Sequence, residues 1–539
     1  MSRGAASNGT EAPEGGQWPP PPQEALSGVD LRRLTRQATE AHGGGRISEL
    51  VGEVYSVLVA GAIAWLVVIG AVQALGMEAD TGQAPALIEP GWLALAAATL
   101  AAGVVVSLFA RLGPMAMGAG HATWWLPMPA DRSGMLHPRL LAMPAAGMVL
   151  GVALGAVVGV LADPGDLFRS VVWSMVSGGV AGIVAVLVCV AGQIRLGVER
   201  PRRVRPLVVT GDALVAAGPM LALVAALLRP PPLNLVGALP PATAILGVAA
   251  VLLLWWCWRR LSQVGGSELR QRGAVTGAAA GSVLSLDTRE LGRALSVPGL
   301  PRTRRRSASF GWVRGPVLAL ITGDAITMLR NPRHLIQAGM AVAIALVPLV
   351  AGAPLALAVV AFVIAGYLAA LATGEGARLA EVAPVLDRTY PLGAAMVRRV
   401  RVVWPVLVLG LWCLVVTTGW ALAYEDWQWV PLGLVAAPTL AAGVLRAAYR
   451  KPPDWGMPLV PGPAGPMAPG VVTAFSRGPD VVVLCLIPLL VAALATGPGT
   501  TVLFIQMATS AVALSIACYL PAPDRSPGGE GGVAAQRRG

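Results

Sequence analysis

From residue 335 to residue 374 the chain runs for forty positions without a charged side chain, interrupted only at Gly352-Ala353-Pro354. A helix rises about 1.5 Å per residue, so about 20 apolar residues cross the ~30 Å hydrocarbon core of a bilayer. Forty of them with a turn in the middle form a helical hairpin that enters the membrane and returns. Runs of the same kind fall near 54–75, 90–110, 140–162, 170–193, 207–228 and 236–258. A second set falls near 335–351, 354–373, 402–423, 430–446, 480–496 and 500–520. The sequence therefore predicts an all-α polytopic membrane protein with twelve transmembrane helices.

Between the two sets lies a stretch, 259–316, with eleven arginines against Glu268, Asp287 and Glu290. Arginine-rich loops between membrane helices stay in the cytoplasm. The loops at 111–139, 194–206, 375–401 and 446–479 carry the other clusters of arginine. The alternate loops hold Glu78, Asp80, Glu89, Asp163, Asp166, Glu425 and Asp426, with only Arg169 and Arg229 in return. This alternation predicts a cell-membrane protein with both termini cytoplasmic. The domain plan follows. Residues 1–28, with Pro19 to Pro22, read as a disordered tail. Residues 29–258 form a first six-span half, led in by an amphipathic helix with Leu31, Leu34, Ala38 and Ala41 on one face. Residues 259–316 are the Arg-rich cytoplasmic loop. Residues 317–520 form a second half with a similar lead-in before Pro332, and 521–539 read as a disordered tail.

The halves share features at matching places. Asp131-Arg132 follows the second span and Asp387-Arg388 the eighth; on that alignment Gly118 and Gly120 fall on Gly374 and Gly376. Gly211-Asp212 leads to Pro219 in the fifth span, and Pro479-Asp480 leads to Pro488 in the eleventh. Six spans per half predict parallel repeats about an axis along the membrane normal.

Several classes of function are disfavoured. The net charge of +12 sits in loops between spans rather than on one domain face. Anionic lipid, not nucleic acid, is the expected partner for it. Cys189, Cys257, Cys413, Cys485 and Cys518 lie singly in apolar runs and read as small buried hydrophobes. No glycine-rich loop with its lysine is present to cradle nucleotide phosphates, so no cofactor is expected. His42, His121, His137 and His334 lack metal-ligand spacing, and no catalytic set emerges, so an enzyme is not expected. Trp124-Trp125, Trp255-Trp256-Trp258 and Trp427-Trp429 read as interfacial belts, leaving the spans without a distinctive aromatic cluster. The centres of the apolar runs carry no ionisable residue. Ion-coupled carriers keep charges there, which points to transport powered from outside the membrane.

The segment from Leu112-Gly113-Pro114 through Trp124-Trp125-Leu126-Pro127-Met128-Pro129-Ala130-Asp131-Arg132 to Leu140-Leu141 resembles the intracellular loop of ABC-exporter permeases of the type-2 class. Ala380 to Leu392, containing Asp387-Arg388, looks like a degenerate copy. Leu320 to Pro332 is similar to the amphipathic connecting helix before the first span of such permeases. The resemblance implies a permease subunit driven by a separate ABC ATPase, with Asp131, Arg132, Asp387 and Arg388 as candidate coupling contacts. Three other readings are open, the first two on the same Asp-Arg residues. Asp131-Arg132-Ser133-Gly134 matches part of the loop motif of major-facilitator carriers. The Asp-Arg pairs also read as interfacial charges that anchor their loops. A membrane enzyme would use the outer acids Glu78, Asp80, Glu89, Glu425 and Asp426.

Overall fold

The computed structural model describes residues 27–41, 86–128, 131–163, 165–199, 206–284, 310–382, 390–449, 460–462, 465–467 and 477–519. The expected first span at 54–75, the middle of the Arg-rich loop, the Asp387-Arg388 pair and the two expected tails lie outside these residues, save for positions 27 and 28.

Among the described residues ten helices are long and apolar enough to cross a membrane. In the first half they are α2 (Pro90–Leu112), α4 (Arg132–Ala162), α5 (Leu167–Glu199), α6 (Pro206–Leu228) and α7 (Leu235–Arg260). Shorter helices α1 (Gly28–Ala41), α3 (Ala119–Trp124) and α8 (Gly266–Leu284) lie at their arginine-rich end. The second half opens with the short α9 (Gly315–Leu329). Its membrane-length helices are α10 (Pro332–Val350), α11 (Leu355–Thr373), α14 (Val403–Tyr424), α15 (Trp429–Ala448) and α18 (Thr500–Cys518). Short helices α12 (Glu375–Val382) and α13 (Ala394–Val400) join α11 to α14, and a small antiparallel hairpin pairs Val460–Gly462 with Gly465–Met467.

Those expected spans that fall among the described residues appear with two differences. The third begins at Arg132 rather than near 140, because Asp131 accepts the backbone N–H of Ser133 and Gly134 and caps the helix there. At 31 residues α4 is therefore longer than the hydrocarbon core and projects from it. The eleventh span is broken into α16 (Pro479–Cys485), α17 (Ile487–Val491) and a π turn at Ala492–Thr496. The Arg-rich loop, in turn, contains a helix, α8.

Lipid tails are as apolar as leucine, so helices in a bilayer associate by close approach rather than by expulsion from water. The tightest pair, α4 and α5, shows how. Gly147, Gly151, Gly155 and Gly159 recur every fourth residue and face Gly182, Gly178, Ser174 and Val171. A Cβ on Gly151 would lie 2.1 Å from the Gly178 carbonyl, and one on Gly155 would lie 2.2 Å from that of Ser174. The seam is backbone against backbone. Ser170 closes one end by donating to the Gly159 carbonyl at 2.6 Å. Gly103 and Gly211 do the same between α2 and α6.

Five helix pairs recur at corresponding places in the two halves. α2 packs on α4, α5 and α6, α4 on α5, and α5 on α7. Correspondingly, α11 packs on α14, α15 and the broken span, α14 on α15, and α15 on α18. The second half is centred on α15, whose buried face contacts Phe362, Trp412 and Trp420 through a shared core. Phe362 lies 5.2 Å from Trp412 and 5.3 Å from Trp420, ring centre to ring centre, and Trp420 lies 5.4 Å from Trp429. These contacts correct two expectations. An aromatic cluster does exist within the spans, and Trp429 belongs to it rather than to an interfacial belt, whereas Trp427 is exposed. The reason is helical phase, since Trp429 opens α15 on its inward side. The halves meet where α6 packs on α10 and where the N–H groups of Leu87 and Ile88 both donate to the Val350 carbonyl.

Candidate functional site

The arginine-rich end of the first half is built as a shelf on the ends of α2 and α5. Past α2 the chain turns through Gly113, at φ +75°, and buries Met115 and Met117. Gln193, buried near the end of α5, accepts from the Met115 N–H at 2.9 Å and donates back to its carbonyl at 3.4 Å. From the other side α8 clamps the turn. Arg272 is buried, donates to the Arg111 carbonyl at 2.5 Å and pairs with Glu268 at 2.9 Å. Gly273 presses so closely on the Met117 carbonyl that a Cβ would lie 1.8 Å away. The amphipathic α1 docks on the same shelf. Its Leu31 is buried in one cluster with Leu126 and Leu136, and Gly28 abuts the Asp131 carbonyl.

Of the four residues expected to couple, the described residues include Asp131 and Arg132; Asp387 and Arg388 lie outside them. Asp131 is exposed and spends its carboxylate on the start of α4, accepting from the Ser133 N–H at 3.0 Å, the Gly134 N–H at 3.2 Å and the Ser133 hydroxyl. Those bonds, the Ser133 hydroxyl first, hold its carboxyl below the usual carboxylate range. Arg132 reaches toward Gly266 at the start of α8. His121 packs edge-on against Trp125 at 4.3 Å; burial first, then the charge of Arg139, keeps its imidazole below the ordinary value. His137 stacks on Trp258 at 4.1 Å. The glycines aligned across the halves differ in setting, since Gly118 and Gly120 face open space while Gly374 and Gly376 are tightly packed.

Ion pairs tie the helix ends together. Asp212, nearly two turns into α6, accepts from Arg111 at 2.5 Å and from the Ser107 hydroxyl at 2.6 Å, both on α2. Asp480, opening the broken span, pairs with Arg446 of α15 at 3.0 Å and accepts from the Gly478 N–H at 2.7 Å. A third pair, Asp324 on α9 with Arg401 before α14, lies at 2.7 Å with both side chains buried. It fastens the short lead-in helix of the second half to the start of the ninth span. One signal for the first two was legible: an Ala-Gly-x-Ile/Leu-Arg ending recurs at 191–195 and 442–446. Its arginines diverge, however. Arg446 pairs with Asp480, whereas Arg195 stacks on Trp256 and leaves Asp212 to Arg111.

The broken helix at 479–496 is the most unusual local structure among the described residues. Pro488 has no N–H to give the Leu484 carbonyl, and a proline inside a helix also crowds the preceding turn. The Leu489 N–H donates to Gln506 Oε1 at 3.3 Å, while Gln506 Nε2 donates to the Cys485 carbonyl at 2.9 Å. One buried amide on α18 thus stands where a helical bond between 485 and 489 would be. Thr509 adds a second bond to the Cys485 carbonyl at 3.0 Å, and Ser510 links Gln506 to the Val435 carbonyl and to Thr439. In a bilayer this polar chain satisfies backbone that water cannot reach. Pro219, the matching proline of the first half, sits in the continuous α6.

Membrane-length helices in two joined bundles, with capped and ion-paired ends, define a multi-pass membrane protein. Residues 83–458 match the family of unknown function DUF6297, and the chain belongs to that family. The match runs from just before α2 to just beyond α15. Neither a curated protein nor a solved structure matches the chain.

Proposed function

We propose that this chain is the permease subunit of an ABC-type exporter in the cell membrane. In this reading it has twelve spans arranged as two parallel six-span repeats, with both termini cytoplasmic. A separate ATPase binds nucleotide and pushes on loops 112–139 and 375–401, with Asp131, Arg132, Asp387 and Arg388 as its contacts. The observation that carries the reading is the shelf of α1, α3, α8 and the 113–128 turn. A connection between two spans needs only a few residues, and a folded platform of this size suits the docking of a partner. The recurrence of the same helix pairs in both halves supports two docking positions. The broken eleventh span supplies a place where the second bundle can bend.

The test is co-purification from the native host in mild detergent. Wild-type protein is expected to carry an ATPase in a fixed ratio, and Arg132→Ala to lose it while remaining monodisperse. Arg132 is the better probe, because Asp131 also caps α4. A wild-type chain that purifies alone and drives uptake from an ion gradient would overturn the exporter reading.

A further inference from the structure

The outer face of α7 carries a stripe of exposed apolar side chains at helical spacing: Ile245, Val248, Leu252 and Trp255. This helix is the least enclosed of the membrane-length set, with 6% of its apolar window buried. The stripe runs directly into Arg259, whose guanidinium lies 4.2 Å from the centre of the Trp255 ring. Beside it Trp256 serves two arginines at once, Arg195 of α5 at 5.1 Å and Arg260 at 5.4 Å. Among the described residues none of these three guanidiniums meets a carboxylate within ion-pair reach; Glu268, on the neighbouring α8, is held by Arg272. Three like charges at the edge of a low-dielectric slab repel one another. Stacking on indole holds them in place and leaves their planar N–H edges open, the geometry that forks onto phosphate oxygens.

From this we infer that the arginine-rich end of α7 binds an anionic glycerophospholipid. The headgroup phosphate sits on Arg195, Arg259 and Arg260, and the acyl chains follow the stripe from Trp255 to Ile245. Charge complementarity selects the anionic class, because a zwitterionic head brings its own ammonium to three unpaired cations. The apolar stripe selects a lipid over free phosphate, which gains nothing from it. The site stands independently of the exporter reading, since it requires only that α7 be bathed in lipid.

Purified protein is reconstituted in vesicles of equal phosphatidylglycerol and phosphatidylcholine, re-extracted in mild detergent, and its bound lipids are counted by native mass spectrometry. Wild-type protein is expected to retain phosphatidylglycerol over phosphatidylcholine by about tenfold or more. The triple variant Arg195→Gln, Arg259→Gln, Arg260→Gln brings that ratio close to one. A charge-matched control, Arg314→Gln, Arg333→Gln, Arg399→Gln, alters exposed arginines just before and within the second half and keeps the wild-type ratio. Should the triple variant fail to fold, Arg259→Gln alone, at an exposed position, lowers the ratio by about threefold. Equal retention by wild type and Arg259→Gln overturns the site, as does a control that loses as much as the triple variant. Displacement of the bound lipid by excess inorganic phosphate would reassign the pocket to free phosphate and overturn the lipid assignment.

Discussion

Replacing Arg401 by alanine tests whether α9 is fastened to the ninth span by charge. Arg401 Nη1 donates to Asp324 Oδ1 at 2.7 Å, and the two side chains are 7% and 9% exposed. The carboxylate lies against the bare backbone of Gly376, where a Cβ would come within 1.9 Å of Oδ1, so it is kept on the arginine's side. Removing one partner of a buried pair costs about 3–5 kcal/mol, because the survivor's charge stays buried with less to offset it. A unit of about 200 residues loses about 2–4 °C per kcal/mol. Arg401→Ala is therefore expected to lower the thermal midpoint in detergent by about 6–20 °C. The assay is the monodisperse peak remaining by size exclusion after heating. Asp324→Leu combined with Arg401→Met removes both charges and is expected to recover most of the loss. A midpoint for Arg401→Ala within experimental error of wild type refutes the reasoning, and so does a double variant whose loss equals the sum of its parts.

Two further outcomes follow from the hydrogen bonding. Gln506→Leu strands the buried Leu489 N–H and is expected to cost about 1–3 kcal/mol in the same assay, while the Cys485 carbonyl keeps Thr509. An unchanged midpoint would show that the break does not depend on the amide. Asp131→Ala removes the cap of α4 and is expected to cost about 1 kcal/mol, with Asp131→Asn retaining most of it. Because the folded carboxyl lies below its unfolded value, its stabilisation is present at neutral pH and lost as pH falls below about 4. Asp131→Asn flattens that part of the acid titration, and an identical acid limb in both proteins argues against the cap.

The bilayer imposes one strong rule, and so the spans were legible. The hairpin of α10 and α11 follows from forty uncharged residues, and its turn falls at Gly352, with φ +68°. What escaped the sequence were partners distant along the chain. Asp324 lay in a stretch marked as a lead-in helix, and nothing local says that it meets Arg401, 77 residues on. Gln506 resembles any polar residue in a span until Pro488 is placed opposite it. Trp429 sat near a loop and read as an anchor, because a single residue carries no period from which to tell its face. Asp131 was legible as important, but its geometry is that of a helix cap, a local role that the aspartate-to-serine-and-glycine spacing also predicts. The four-residue glycine repeat of α4 was visible in the sequence, yet its partner stripe on α5 required the fold.

That glycine seam has a mechanical consequence. Side chains between helices act as compliant padding, since rotamers shift and absorb displacement; where backbone touches backbone there is no padding. The α4–α5 seam is therefore stiff along Gly147–Gly159, about 18 Å of helix, while nearer Arg132 the internal Pro138 and Pro144 interrupt the hydrogen bonding of α4. In the other bundle, by contrast, the helix is broken at Pro488 and the π turn, and the side chains of α18 hold the break.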